Sequence, residues 1–166
     1  MKKILLSIIL FLVPFHVYSQ PEADRYRCII VGDSIALGLG LATDKCKTLA
    51  RSGITSKRWF ELFQHNPFYR DTLYKTAIIS LSVNDLTTTD TAEYLYNTRK
   101  WLRGDKVFWI LPSQTLKPTQ YDIIINTAKE FQDTVVNITD FTSRGDGIHP
   151  ASLHHYKEIV EYILSK

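Results

Sequence analysis

The sequence predicts an α/β fold, in which helices cover both faces of a parallel β-sheet. Short apolar runs alternate along the chain with stretches whose apolar residues recur at helical spacing. Regular alternation of strands and helices is typical of parallel sheets, because each return to the same edge requires a crossover. The connections are short enough for one compact domain, and no internal repeat is visible. The predicted strands are residues 28–31, 46–51, 76–81, 106–111 and 134–138.

Turn and cap residues separate these runs and predict the helices between them. We expect a short helix to about Ala42 after the first strand, and Ser56 as the cap of the second helix. Asn66-Pro67 should end that second helix, and Pro118 suits the first turn of a later one. A last helix is predicted from one apolar face, formed by Leu153, Tyr156, Ile159, Val160, Ile163 and Leu164.

Length and composition indicate a soluble globular domain of ordinary size. The 166 residues are 45% apolar and 22% charged, and the formal net charge is +3. Without Lys2 and Lys3, 18 basic residues face 17 acidic ones, which leaves +1. So small an excess gives no reason to expect a nucleic acid or an anionic membrane as a partner.

The first nineteen residues have the pattern of a secretory signal peptide. Lys2-Lys3 precede an apolar core at residues 4–13, and cleavage is expected after Ser19, with Gln20 as the near alternative. The core is shorter than the ~20 apolar residues that cross a bilayer, so cleavage is favoured over an uncleaved anchor. The expected organisation is therefore a signal peptide at 1–19 and one domain at 20–166, secreted or periplasmic and without a stable membrane anchor.

Two cysteines, Cys28 and Cys46, open the first and second predicted strands. If these strands are parallel neighbours, both sulfur atoms lie at the same end of the sheet. An oxidising compartment would allow a disulfide there, and two buried thiols are the equally weighted alternative. The pair has no histidine cluster near it in the sequence and does not predict a zinc site.

Polar or glycine-bearing stretches follow four of the five predicted strands. Because the carboxyl ends of parallel strands share one edge of the sheet, these stretches can converge on one site. They are Gly32-Asp33-Ser34, Ser52-Gly53, Ser82-Val83-Asn84-Asp85 and Asp146-Gly147-Ile148-His149-Pro150.

The first and last of these stretches contain the residue types of a serine hydrolase. Ser34 follows a strand and precedes a helix, where backbone N–H groups favour negative charge. His149 could accept its proton, and Asp146, three residues earlier, could hold the imidazole through Nδ1. Taken singly, Asp33 or Ser34 is better explained as a helix cap, and His149 as a polar loop residue.

The two middle stretches offer donors for an oxyanion. The backbone N–H groups of Ser34 and Gly53 and the side-chain amide of Asn84 could stabilise the negative charge that forms when an acyl carbon is attacked. A loop glycine and an asparagine turn are the ordinary alternatives.

Together, in this order, the four blocks resemble those of the SGNH hydrolases, also called GDSL-type esterases. The resemblance implies a flavodoxin-like, three-layer α/β/α fold and ester hydrolysis that needs no metal or other cofactor. It implies a triad of Ser34, Asp146 and His149, and an oxyanion hole formed by Ser34, Gly53 and Asn84. Two positions depart from the pattern: Ile35 replaces a leucine, and Ser82 replaces the glycine of the third block.

The function expected from the sequence is that of an exported serine esterase acting on small, acetyl-type esters of a small molecule or a polysaccharide. A chain without an obvious lid or insertion favours a shallow site. The alternatives are a lysophospholipase or thioesterase of the same family, and a non-catalytic envelope- or carbohydrate-binding domain. A flavin-binding doubly wound domain is a third hypothesis. Residues 32–40, however, contain only part of the glycine pattern that is typical of dinucleotide-binding loops.

Overall fold

The computed structural model describes residues 27–86, 88–141 and 146–166, and these form one five-stranded parallel sheet with helices on both faces. The strands are β1 (Cys28–Gly32), β2 (Cys46–Ala50), β3 (Tyr74–Ser80), β4 (Gly104–Leu111) and β5 (Thr134–Asn137). Their order across the sheet is β2-β1-β3-β4-β5, and every neighbouring pair is parallel. The predicted three-layer α/β/α fold is confirmed.

Helices connect the strands and close the two outer layers. They are α1 (Ser34–Leu41), α2 (Ser56–Phe63), the short α3 (Pro67–Arg70), α4 (Thr88–Trp101), α5 (Pro118–Phe131) and α6 (Leu153–Leu164). One face of the sheet packs against α1 and α6, and the other packs against α2, α4 and α5.

The interior strand β1, between β2 and β3, is buried on both faces, as a parallel sheet requires. Alternate residues point in opposite directions, so Ile29 and Val31 join the core under α2, α4 and α5. Cys28 and Ile30 join the core under α1 and α6. The continuous apolar run that predicted this strand is therefore divided between two hydrophobic cores.

Several local predictions differ from the structure. The fourth strand begins at Gly104, two residues before its predicted start, because Gly104 is the register partner of Tyr74 on β3. Thr55, not Ser56, caps α2: Thr55 has extended backbone angles, and its hydroxyl accepts a hydrogen bond from the N–H of Arg58. Ser56 is the first helical residue, and its side chain is buried. The third strand begins at Tyr74, two residues before the predicted start, because the N–H of Tyr74 donates to the carbonyl of Arg103 and extends the ladder.

Cys28 and Cys46 form a disulfide, the first of the two alternatives. They are register partners on the neighbouring strands β1 and β2, with their Cα atoms 4.4 Å apart. Both side chains are buried, so the bridge joins the two strands from within the core under α1 and α6.

The predicted signal peptide at 1–19 lies outside the described residues. Within the described ranges, no helix has the length and apolar character needed to cross a membrane. The same ranges contain no group of three or more His, Cys, Asp or Glu side chains arranged to hold a metal ion.

Candidate active site

Ser34 is presented by a tight turn at the carboxyl end of β1. Gly32 has a φ of 144°, and a Cβ there would lie 1.7 Å from the carbonyl oxygen of Ser80, so only glycine allows β1 and β3 to approach in this way. Asp33 then caps α1 by accepting from the N–H of Ile35 at 3.0 Å. Ser34 is the first residue of α1, and its side chain is half-buried at the rim of the sheet.

The Ser34 hydroxyl is hydrogen-bonded to a histidine that lies 115 residues away in the sequence. Its Oγ is 2.8 Å from Nε2 of His149, and Nδ1 of the same ring is 2.8 Å from Oδ2 of Asp146. The structure therefore brings the three residues of the predicted triad into one hydrogen-bonded row.

The environment of Asp146 keeps its carboxylate ionised. The backbone N–H groups of His149 and Ile148 donate to Oδ1 at 3.0 and 2.9 Å, and the His149 ring bonds Oδ2. These hydrogen bonds hold the pKa of Asp146 far below its usual range, those from the backbone being the largest cause. An ionised carboxylate can only accept, so the proton of neutral His149 lies on Nδ1. Nε2 is then left to accept from Ser34.

The two predicted backbone donors, the N–H groups of Ser34 and Gly53, have no acceptor among the described residues. The N–H of Ser34 belongs to the first turn of α1, where helical partners are missing. The N–H of Gly53 lies in the exposed loop after β2, at a φ of 72° that favours glycine. Both predicted backbone donors therefore lack a hydrogen-bond partner in the described part of the chain.

Asn84, the third predicted donor, bridges two loops. Its Nδ2 donates to the carbonyl of Ile54 at 3.1 Å, and the amide carries a second proton that this bond does not use. Two residues earlier, Ser82 has a φ of 94° and is fully buried. A side chain is strained at that angle, which gives a physical reason for glycine at this position of the third block.

Further hydrogen bonds hold the loop after β3, and the sequence did not predict them. Oδ1 of Asp85 accepts from the N–H of Ser56 at 2.8 Å. The side chain of Gln120 donates to the backbone carbonyl of Asp85 at 3.2 Å. Asp85 follows Asn84 in the third block, and that adjacency was the one signal that pointed to it. Gln120 had none.

Asp33 is fully buried directly beside Ser34 in the chain. Its Oδ1 accepts from the Ser80 hydroxyl at 3.2 Å as well as from the N–H of Ile35. Burial raises the pKa of Asp33 from 3.8 to about 6, and these hydrogen bonds offset only part of the cost of desolvating the charge. The side chain of Asp33, the residue before Ser34, therefore changes its protonation state near pH 6.

The rim around the site combines cations with apolar side chains. On the β2 side, a cavity of about 390 Å³ is lined by Arg51, Gly53 and Arg58 among others. Leu86, two residues after Asn84, is 95% exposed. Leu116 is half-exposed beside the loop that carries Asp146 and His149, since a Cβ on Gly147 would lie 3.2 Å from its Cδ1.

A larger cavity, of about 580 Å³, opens at the opposite end of strands β4 and β5. Its lining includes Arg99 and Asp133 and none of the predicted site residues. Arg99 and Asp133 form a largely buried ion pair, and Asp133 also accepts from the indole N–H of Trp109, so these two charges are already paired within the protein. The candidate active site is therefore the triad at the carboxyl edge of the sheet, and the 390 Å³ cavity contains Gly53, one of the predicted oxyanion donors.

Comparison of the sequence with known proteins finds no matching family model and no matching curated protein. Comparison of the fold with solved structures does find matches. A GDSL-like lipase from Bacteroides thetaiotaomicron superposes with a TM-score of 0.59 at 16% identity, over 89% of both chains. Axe2, an acetylxylan esterase from Geobacillus stearothermophilus, superposes with a TM-score of 0.59 at 12% identity, over 83% of this chain and 92% of the other.

The C-terminal catalytic domain of Streptococcus pneumoniae peptidoglycan O-acetyltransferase A has a TM-score of 0.54 at 18% identity, over 83% of this chain and 92% of that one. At these identities the likeness concerns the fold, which this chain shares with GDSL-type lipases and acetylesterases. The resemblance found in the four sequence blocks thus agrees with the tertiary structure.

Proposed function

We propose that this chain, whose fold is that of the SGNH hydrolases, is a serine esterase with Ser34 as nucleophile. The observation that carries the proposal is the hydrogen-bonded row from Ser34 Oγ through His149 to Asp146, with both contacts at 2.8 Å. Serine needs an adjacent base to act as a nucleophile, and this row supplies one.

The proposed reaction has two halves. His149 Nε2 takes the proton of Ser34 while Oγ attacks the ester carbonyl, and Asp146 stabilises the resulting imidazolium. The N–H groups of Ser34 and Gly53 and the amide of Asn84 donate to the oxyanion of the tetrahedral intermediate. The alcohol leaves with the proton from His149, and water then attacks the acyl-serine with His149 again as base. The bond between the acyl carbon and Oγ breaks, the acid leaves, and His149 returns the proton to Ser34.

We further propose that the acyl group is small, such as acetyl, and that the enzyme is exported. Ser34 is half-buried at the rim of the sheet, and a nucleophile at an open rim suits a short acyl chain on a bulky alcohol, such as a polysaccharide. A disulfide between Cys28 and Cys46 suits an oxidising compartment, and the pattern of residues 1–19 suits secretion.

A second candidate is hydrolysis of longer acyl chains, as by a lysophospholipase or thioesterase. The exposed Leu86 and the half-exposed Leu116 favour it, because they offer apolar surface on the rim. Comparing acetyl with octanoyl esters of the same alcohol decides between the two: a strong preference for octanoyl would contradict the acetyl proposal.

Labelling with a fluorophosphonate, which reacts with activated serines, tests the proposed function directly. We expect the wild type to be labelled and to hydrolyse phenyl acetate, and Ser34→Ala to do neither. Ser113→Ala, which alters a serine on the neighbouring loop after β4, is the matched control and should label normally. Equal labelling of wild type and Ser34→Ala would exclude Ser34 as nucleophile. A folded wild type that neither labels nor hydrolyses esters would favour the non-catalytic binding domain.

A further inference from the structure

Two arginines line the cavity next to the proposed oxyanion hole. The cavity of about 390 Å³ is bounded by a continuous stretch at the end of β2 and by the first turn of α2, namely Arg51, Ser52, Gly53, Ile54, Thr55 and Arg58. Because Gly53 belongs both to this cavity and to the proposed oxyanion hole, the cavity adjoins the position of a bound ester.

Arg51 is attached rigidly to the site through its backbone. Its N–H donates to the carbonyl of Gly32 at 3.0 Å, and Gly32 lies two residues before Ser34. Its own carbonyl accepts from the N–H of Ile54. The side chain is exposed, and its guanidinium has no hydrogen-bond or ion-pair partner in the ranges that the structure describes.

Arg58 faces the same cavity from the first turn of α2. Its guanidinium contacts Glu61 at 3.4 Å, and the two side chains are 62% and 39% exposed. An ion pair this exposed contributes little and is readily exchanged for another partner. Arg58 is therefore available to an anion that enters the cavity.

We propose that Arg51 and Arg58 form a subsite that binds a carboxylate carried by the substrate. Arginine presents a planar fork of donors that matches a carboxylate, and two of them beside one cavity leave a positive charge that Glu61, paired with Arg58, neutralises only in part. The inference rests on the proposed function and specifies its substrate: an acyl ester with a carboxylate near the scissile bond. With an acetyl group as the acyl part, the carboxylate belongs to the alcohol, as in a sugar acid.

Two esters that differ only in charge test the subsite. We expect kcat/KM for 4-acetoxybenzoate to exceed that for its neutral methyl ester by about tenfold, the size of one charged hydrogen bond at an exposed site. Arg51→Gln and Arg58→Gln should each lower this ratio, and the double variant should bring it to about one. Raising the salt from about 0.05 to about 0.5 M should also lower the ratio by screening.

Arg103→Gln is the matched control, because the substitution removes the same charge at a distant site. Arg103 is exposed just before β4, at the other end of the sheet. The control substitution should leave the ratio unchanged. A wild-type ratio near one, or an equal fall in Arg103→Gln, would overturn the subsite while leaving the esterase itself intact.

A second pair, phenyl hemisuccinate and its methyl ester, carries the charge on the acyl side. A preference for the anion in this pair alone, abolished in the double variant, would uphold the subsite and contradict the acetyl assignment. Calorimetric binding of 4-acetoxybenzoate and its methyl ester to Ser34→Ala gives a readout that needs no turnover. If the wild type hydrolyses neither ester, the proposed function fails, and equal affinity of Ser34→Ala for both compounds then overturns the subsite as well.

Discussion

The side-chain amide of Asn84 donates to the carbonyl of Ile54 at 3.1 Å, which joins the loop after β3 to the loop after β2. The bond from the N–H of Ser56 to Asp85 joins the same two loops a second time. Gly53 and Asn84, two proposed oxyanion donors, are therefore held as one unit. Preorganised donors stabilise a developing charge without reorganising during the reaction.

Replacing Asn84 should lower turnover strongly. Asn84→Ala removes one proposed oxyanion donor and the tie to Ile54, so we expect kcat to fall about 10²–10³-fold. Steady-state kinetics with phenyl acetate measures this, with Asn126→Ala on the exposed side of α5 as control. A fall of less than about threefold would remove Asn84 from the oxyanion hole.

Replacing the triad carboxylate should reduce activity without unfolding the protein. Asp146→Asn removes the charge that fixes the Nδ1 proton of His149, so kcat should fall by at least about 10²-fold. Asp140→Asn changes an exposed carboxylate in the turn after β5 and should retain full activity. Circular dichroism checks that both variants are folded. Full activity of Asp146→Asn would show that another group orients His149.

Introducing glycine at the strained position two residues before Asn84 should stabilise the fold. Ser82 has a φ of 94°, and relief of such strain is worth about 1–3 kcal/mol, offset by up to about 1 kcal/mol of added freedom in the unfolded chain. We therefore expect the free energy of unfolding of Ser82→Gly to exceed that of Ser82→Ala by about 1 kcal/mol, because alanine keeps a Cβ at the same φ. Urea unfolding measures the difference, and equal stability would mean that the backbone relaxes around the side chain.

Stability should depend on pH through Asp33. Its pKa rises from 3.8 to about 6 on folding, so the folded state holds the proton more tightly than the unfolded state. The stabilisation is complete below pH 3.8 and is lost as the pH rises through about 6, a change of about 3 kcal/mol. Unfolding at pH 4 and pH 7 should show this fall in the wild type relative to Asp33→Asn. Asp122→Asn, at an exposed site on α5, should follow the wild type. Identical pH profiles for wild type and Asp33→Asn would refute the shift.

Reducing the disulfide should destabilise the fold without disturbing the site. Cys28 and Cys46 are 18 residues apart, and a loop of that length corresponds to about 3 kcal/mol of chain entropy. Urea unfolding with and without a reductant measures the loss. The Cys28→Ala/Cys46→Ala variant should match the reduced protein and be insensitive to the reductant. Equal stability of oxidised and reduced protein would contradict the prediction.

The strands and helices could be predicted from the sequence because the patterns that indicate them extend over only a few neighbouring residues. The apolar run at β1 and the turn at Gly32 predict a buried strand and its end without knowledge of any other part of the chain. Cap assignment was less certain, since Thr55 and Ser56 both suit an N-cap and the backbone angles decide between them. The sequence could not decide between a disulfide and two free thiols for a similar reason, because only the register of β1 against β2 makes Cys28 and Cys46 partners.

By itself, the sequence determined the α/β alternation and the residue types at the ends of the strands, because burial periodicity and turn chemistry act over a few neighbouring residues. Only the tertiary structure decided that His149 reaches Ser34 and that Asp85 connects two loops. It also decided that the guanidinium of Arg51, next to Gly53 in one cavity, has no partner among the described residues. These contacts join segments that the chain separates, and sheet order and register set their distances.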